Sequence, residues 1–96
     1  MLTINPTLYE QLALLLIDDI GSMDYYSGTI TIEQEEADYS FEASLIIRYN
    51  EVKFPEGYDT QISELIPVWW EMHSVTDEGE QLNDFDFNIL RRAICN

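Results

Sequence analysis

The apolar residues of this chain repeat with two different periods. Between Leu8 and Ile20 they recur at three- and four-residue spacings, as Leu8, Leu12, Leu15, Leu16 and Ile20, with Tyr9 and Ala13 widening the stripe. That is the period of a helix burying one face. Asn5 followed by Pro6 predicts its start, because Asn caps helices well and Pro at the first helical position gives up no hydrogen bond it would otherwise make. Gly21 predicts its end.

From Tyr25 the period changes to two. Tyr26, Ile30 and Ile32 alternate with Ser27, Thr29, Thr31 and Glu33, as in a strand with one wet face. Gly28 breaks the apolar side and predicts a bulge or a close approach by another element. After the polar connection Glu35–Asp38, alternation resumes with Tyr39, Phe41, Ala43, Leu45, Ile47 and Tyr49 facing one way and Ser40, Glu42, Ser44, Ile46 and Arg48 the other. The two segments read as a hairpin. Asn50 to Thr60 contains Pro55, Gly57 and scattered charges, and reads as a loop.

Ile62 to Val75 then supplies a third strand. Ile66, Val68, Trp70 and Met72 share one parity, and Trp69, Glu71 and His73 share the other. Neighbouring strand residues point to opposite faces, so the adjacent tryptophans cannot enter one core. This phase assigns Trp70 to the core and Trp69 to the opposite face. Pro67, lacking an N–H, belongs on an edge or at a bulge, and a bulge there would shift the register by one.

Asp77–Glu80 reads as a turn. Asn83 or Asp84 is the expected cap of a last helix running to about Ile94, with Phe87, Leu90 and Ile94 as its stripe and Phe85, Ile89 and Ala93 flanking it. The expected fold is therefore α+β, a single small domain with the order α-β-β-β-α. Its strands form a three-stranded antiparallel meander, and both helices pack on one face.

Composition narrows the chemistry more than the fold. The 96 residues suit one domain, and 46% apolar and 12% aromatic content is enough for a core. Cys95 is the single cysteine, so no internal disulfide can form, and a reducing cytoplasm is the expected compartment. The run Leu12–Ile17 lacks the basic flank of a signal peptide and the length of a membrane span. With 19 acidic against 4 basic residues, the net charge is −15. A field of that sign repels phosphates and anionic lipid, which excludes direct nucleic-acid or membrane binding.

No catalytic, metal-binding or phosphate-binding motif is present, and no cofactor is expected. His73 is the one histidine. With Glu71 two residues away it could form an acid–base pair, but any exposed strand face would offer the same spacing. Asp77–Glu80 and Asn83–Asn88 lack the spacing of a calcium loop, and Asn83 with Asp86 reads more simply as a capping pair. Asp18 and Asp19, at the unfavourable end of the first helix, read as solvated acids.

The surface is what remains. Trp69 and Ile46 are large apolar groups on the face opposite the helices, where Glu71 and His73 also lie, unless the Asn50–Thr60 loop folds over them. The sequence thus predicts a non-catalytic protein-interaction module whose binding residues are Trp69, Ile46, Glu71 and His73. Its partner would be a second copy, as a homodimer, or a basic protein. A second expectation is a nucleic-acid-mimicking inhibitor whose carboxylates occupy the basic cleft of a DNA-binding protein.

Overall fold

In a computed structural model that describes residues 1–95, Asn5 caps the first helix as its sequence predicts: its side-chain oxygen accepts from the Leu8 N–H at 2.8 Å. Helix α1 spans Pro6–Ile20, and Gly21 follows at φ 59°. Leu8, Tyr9, Leu12, Ala13, Leu16 and Ile20 are buried. Leu15 is not part of that stripe; it stands on the flank of the helix, 46% exposed.

The chain then forms an antiparallel meander of β1 (Tyr25–Glu33), β2 (Asp38–Phe54), β3 (Gly57–Thr76) and β4 (Gly79–Gln81), in the order β1-β2-β3-β4. The sheet has four strands rather than three, because the turn after Thr76 returns far enough to pair Glu80 with Val75 and Gln81 with Ser74. Gly28 causes no bulge. A Cβ there would lie 2.7 Å from the Tyr26 hydroxyl, so glycine leaves room for that ring.

The expected loop over Asn50–Thr60 is instead the end of a long hairpin. Val52 pairs with Asp59 and Phe54 with Gly57, leaving Pro55 and Glu56 as the turn. Local alternation survives in Val52 and Phe54, and extended pairing needs no core beneath it. No residue from Asn50 to Thr60 is buried, so this arm projects from the body and gives the molecule its 53 Å long dimension.

Two register shifts between β2 and β3 decide which way side chains point. Ser44 pairs with Trp69 and Leu45 with Pro67, which leaves Val68 as an extra residue; Arg48 pairs with Glu64 and Tyr49 with Ile62, which leaves Ser63. The bulge beside Pro67 fits a residue that cannot donate to a ladder. It corrects the expected phase upstream: Leu65, not Ile66, is buried opposite Ile47, and Val68 is exposed. Trp70 and Met72 keep the core side, packing against the buried cluster.

Helix α2 covers Phe87–Ile94, starting later than expected, and its cap is Asp86, which accepts from the Asn88 N–H. Asn83 and Asp84 tie segments together instead. The Asn83 amide donates to the Met72 carbonyl and Ser74 Oγ, and Asp84 Oδ1 accepts from the Ile4 N–H at 2.7 Å. Phe87, Leu90 and Ile94 are buried as predicted, while Ile89 and Ala93 are exposed. Both helices cover the sheet face carrying Phe41, Ala43, Leu45 and Ile47, where Trp70 packs edge-on to Phe85 with ring centres 5.3 Å apart.

Candidate functional site

Among the described residues no element covers the opposite face of the sheet, and its side chains fall into two zones. Nearest the arm is an apolar row. Tyr25 pairs with Ile46, and Ile46 pairs with Ile66, so three strands place three large apolar side chains side by side. Trp69 adjoins the row, opposite Ser44. It is 43% exposed and Ile46 39% exposed, so both sequence-predicted anchors share this face, and the arm does not cover them. Ser44 beneath is only 5% exposed, and its hydroxyl lies 3.0 Å from that of Ser27.

Ile66 belongs to this site, although its parity in sequence places it in the core. The signal that could have found it is Pro67, which marks where alternation stops being reliable. Val68, looped out by the same bulge, adds a further exposed apolar side chain between Ile66 and Trp69.

Away from the arm the face becomes acidic. Glu42 stands directly opposite Glu71 and Glu33 opposite Asp38, like-charge pairs that work against the sheet. His73 relieves part of this. Its ring nitrogens lie 2.9 Å from Glu71 and 3.1 Å from Glu80. The hydrogen bond to Glu71, followed by that to Glu80, raises its pKa above the ordinary value. Glu71 and His73 therefore sit beside the apolar row as a linked pair, with Glu80 as the partner that the sequence did not reveal.

Beyond this pair the acids converge. Glu35 and Glu36, from the connection between β1 and β2, and Asp38, at the start of β2, line one shallow depression together with Asp77 from the β3–β4 turn. Asp84 and Asp86 stand apart from it, since they accept backbone hydrogen bonds from Ile4 and Asn88. Asp19 is likewise engaged, accepting from the Tyr26 hydroxyl at 3.1 Å. Burial and that carboxylate push the Tyr26 phenol up to about 12.

The basic residues lie away from these acids, though Arg48 shares the open face two residues beyond Ile46, opposite Glu64. Lys53 is on the arm, Arg48 at its base, and Arg91 and Arg92 are in the last turn of α2. Among the described residues, no helix is long and apolar enough to cross a membrane, and no three of His, Cys, Asp and Glu converge as a metal cage requires. No protein-family model, curated protein or solved structure matches the chain.

Proposed function

We propose that this chain is a non-catalytic protein-interaction module that offers the uncovered side of its sheet to a basic protein. The observation that carries the reading is the row Tyr25–Ile46–Ile66 with Trp69 at its side, on a face that no element of the described residues covers. Exposed apolar surface of this kind is costly to keep in water and commonly serves as the centre of an interface, with tryptophan a frequent anchor. Glu42 and Glu71 border the row, and a net charge of −15 steers a cationic partner toward it. Two such faces meeting each other would oppose like charges, which favours a basic protein over a second copy on this face. Capture of partners from a lysate at graded salt tests the reading. A basic protein retained by the wild type and lost by Trp69→Ala and Ile46→Ser supports it, and equal retention by all three contradicts it.

A second reading, the nucleic-acid mimic, draws support from the acidic end, where Glu35, Glu36, Asp38 and Asp77 lie together. It also calls for a basic partner but for different contacts. Binding by a mimic would persist in Trp69→Ala and fall steeply with salt.

A further inference from the structure

The outer edge of β1 is unlike the rest of the sheet's perimeter. β1 pairs with β2 at nine successive positions without a register shift and, among the described residues, has no neighbour on its other side. The opposite margin is guarded: β3 is broken by two bulges and by Pro67, and β4 covers its end. Proteins ordinarily blunt a free edge with proline, bulges or charge, because unpaired N–H and C=O groups recruit other strands. β1 has none of these devices. From Tyr25 to Ile32 it carries no charged residue in a chain that is 24% charged, and Glu33 is its single charge.

We infer that two copies of the chain join through β1, edge to edge and antiparallel about a two-fold axis at Thr29, making one continuous sheet. The sequence of β1 is self-complementary in that register. On the helix-covered side, Tyr26 of one copy falls opposite Ile32 of the other, and Gly28 opposite Ile30. On the open side, Ser27 meets Thr31 and Thr29 meets Thr29. Aromatic with β-branched and hydroxyl with hydroxyl are favourable cross-strand pairs. The only charges on the paired strands, the two Glu33 side chains, fall opposite Tyr25 at the far ends. Chains of net charge −15 thus meet along their least charged strand.

Leu15 points to the same arrangement independently. Gln11, Leu15 and Asp19 form one row on α1, four residues apart. The Gln11 end of the row bonds to Gln34, just beyond β1, at 3.4 Å, and the Asp19 end bonds to Tyr26 at the start of β1. Leu15, midway along that row, overlooks the free edge. The opposite flank of the helix, with Ala13 and Ile17, faces Ala93 of α2. Pairing the β1 edges brings two α1 helices side by side in antiparallel sense. The exposed Leu15 of each meets the other near the axis, and Asp19 of one approaches Gln11 of the other rather than a like charge. A foreign strand docked on β1 would leave Leu15 in water, which favours a second copy as the occupant.

Solution mass tests the proposal. Wild-type protein at micromolar concentration should sediment at about twice 11.2 kDa. Thr29→Lys and Leu15→Lys should each return the 11.2 kDa species with unchanged far-ultraviolet circular dichroism. Both variants lower the net negative charge, and a lysine at 29 would stand opposite Glu42. At the proposed axis each new lysine meets its own counterpart, so dissociation reports a contact at that place rather than greater overall charge, and the unchanged circular dichroism separates it from unfolding. In a Cys95→Ser background, Thr29→Cys should oxidise to a covalent dimer and Thr60→Cys, on the arm, should not. A monomeric wild type overturns the proposal, as does a dimer that survives both lysine variants. A dimer lost only on Trp69→Ala would move the contact to the open face.

Discussion

Leu65 and Ile66 are chain neighbours on opposite sides of the sheet, Leu65 buried against Ile47 and Ile66 beside Ile46 on the open face. Strand neighbours point to opposite faces; the bulge at Val68 decides that Leu65 is the inward one, and paired truncations read this out. Leu65→Ala should destabilise the fold by roughly 2–5 kcal/mol, as large-to-small core substitutions do. Ile66→Ala should cost no more than ~1 kcal/mol. Urea denaturation of the two variants measures both, and the reverse ranking would mean that the strand is not bulged there.

The His73 ring between Glu71 and Glu80 links stability to pH. Its folded-state pKa is raised over an unfolded value near 6.5. The protonated ring therefore contributes stability that is fully present below about pH 6.5 and is lost as pH rises through the folded value. Thermal melts of wild type and His73→Gln at several pH values should diverge in acid and draw together in mild alkali. A difference that does not change with pH would show that the pair carries no charge-dependent stability. The contribution is modest, because all three groups are solvent-exposed.

Charge opposes this fold as a whole. Nineteen acids against four bases repel one another, and the Glu42–Glu71 and Glu33–Asp38 pairs concentrate that repulsion on one face. Screening shortens its range to about 10 Å at 0.1 M salt. The melting midpoint should accordingly rise between low and moderate ionic strength, and a flat or falling midpoint would contradict this account.

The arm should be dispensable for stability. None of Asn50–Thr60 is buried, so replacing Glu51 to Asp59 with a short turn should leave the melting midpoint nearly unchanged. A large loss would show that the arm supports the body.

Local periodicity made much of this architecture legible. Asn5, Pro6 and Gly21 bound α1 as their chemistry predicts, and Trp70 and Met72 take the core side. Where the reading fails, a long-range effect intervenes. Pro67 announces an irregularity, but only the pairing with β2 tells that the extra residue is Val68, which turns Ile66 outward and Leu65 inward. Leu15 fits the helical stripe in spacing, yet it stands on the flank of α1 and stays 46% exposed, which spacing along the chain does not reveal. Asn83 and Asp84 resemble caps in sequence, but Asn83 binds Met72 and Ser74 once the chain turns back along β3, and Asp84 binds Ile4 once the first residues reach it. Proline and glycine at 55 and 57 mark a turn correctly, while the ribbon on either side of it carries too many charges to be read as strand.

The open face is the central claim, and Trp69 is its most direct probe. Trp69 stands opposite Ser44 in solvent, whereas Trp70 stands opposite Ala43 against Phe85 and Phe87. Titrating the captured basic partner against wild type and Trp69→Ala, with thermal melts of both, should show affinity weakened on the order of 30-fold or more and an unchanged melting midpoint. Trp70→Ala should instead lower the midpoint, at a cost on the order of 3 kcal/mol. Undiminished affinity in Trp69→Ala, or unfolding by Trp69→Ala with Trp70→Ala folded, would contradict the account.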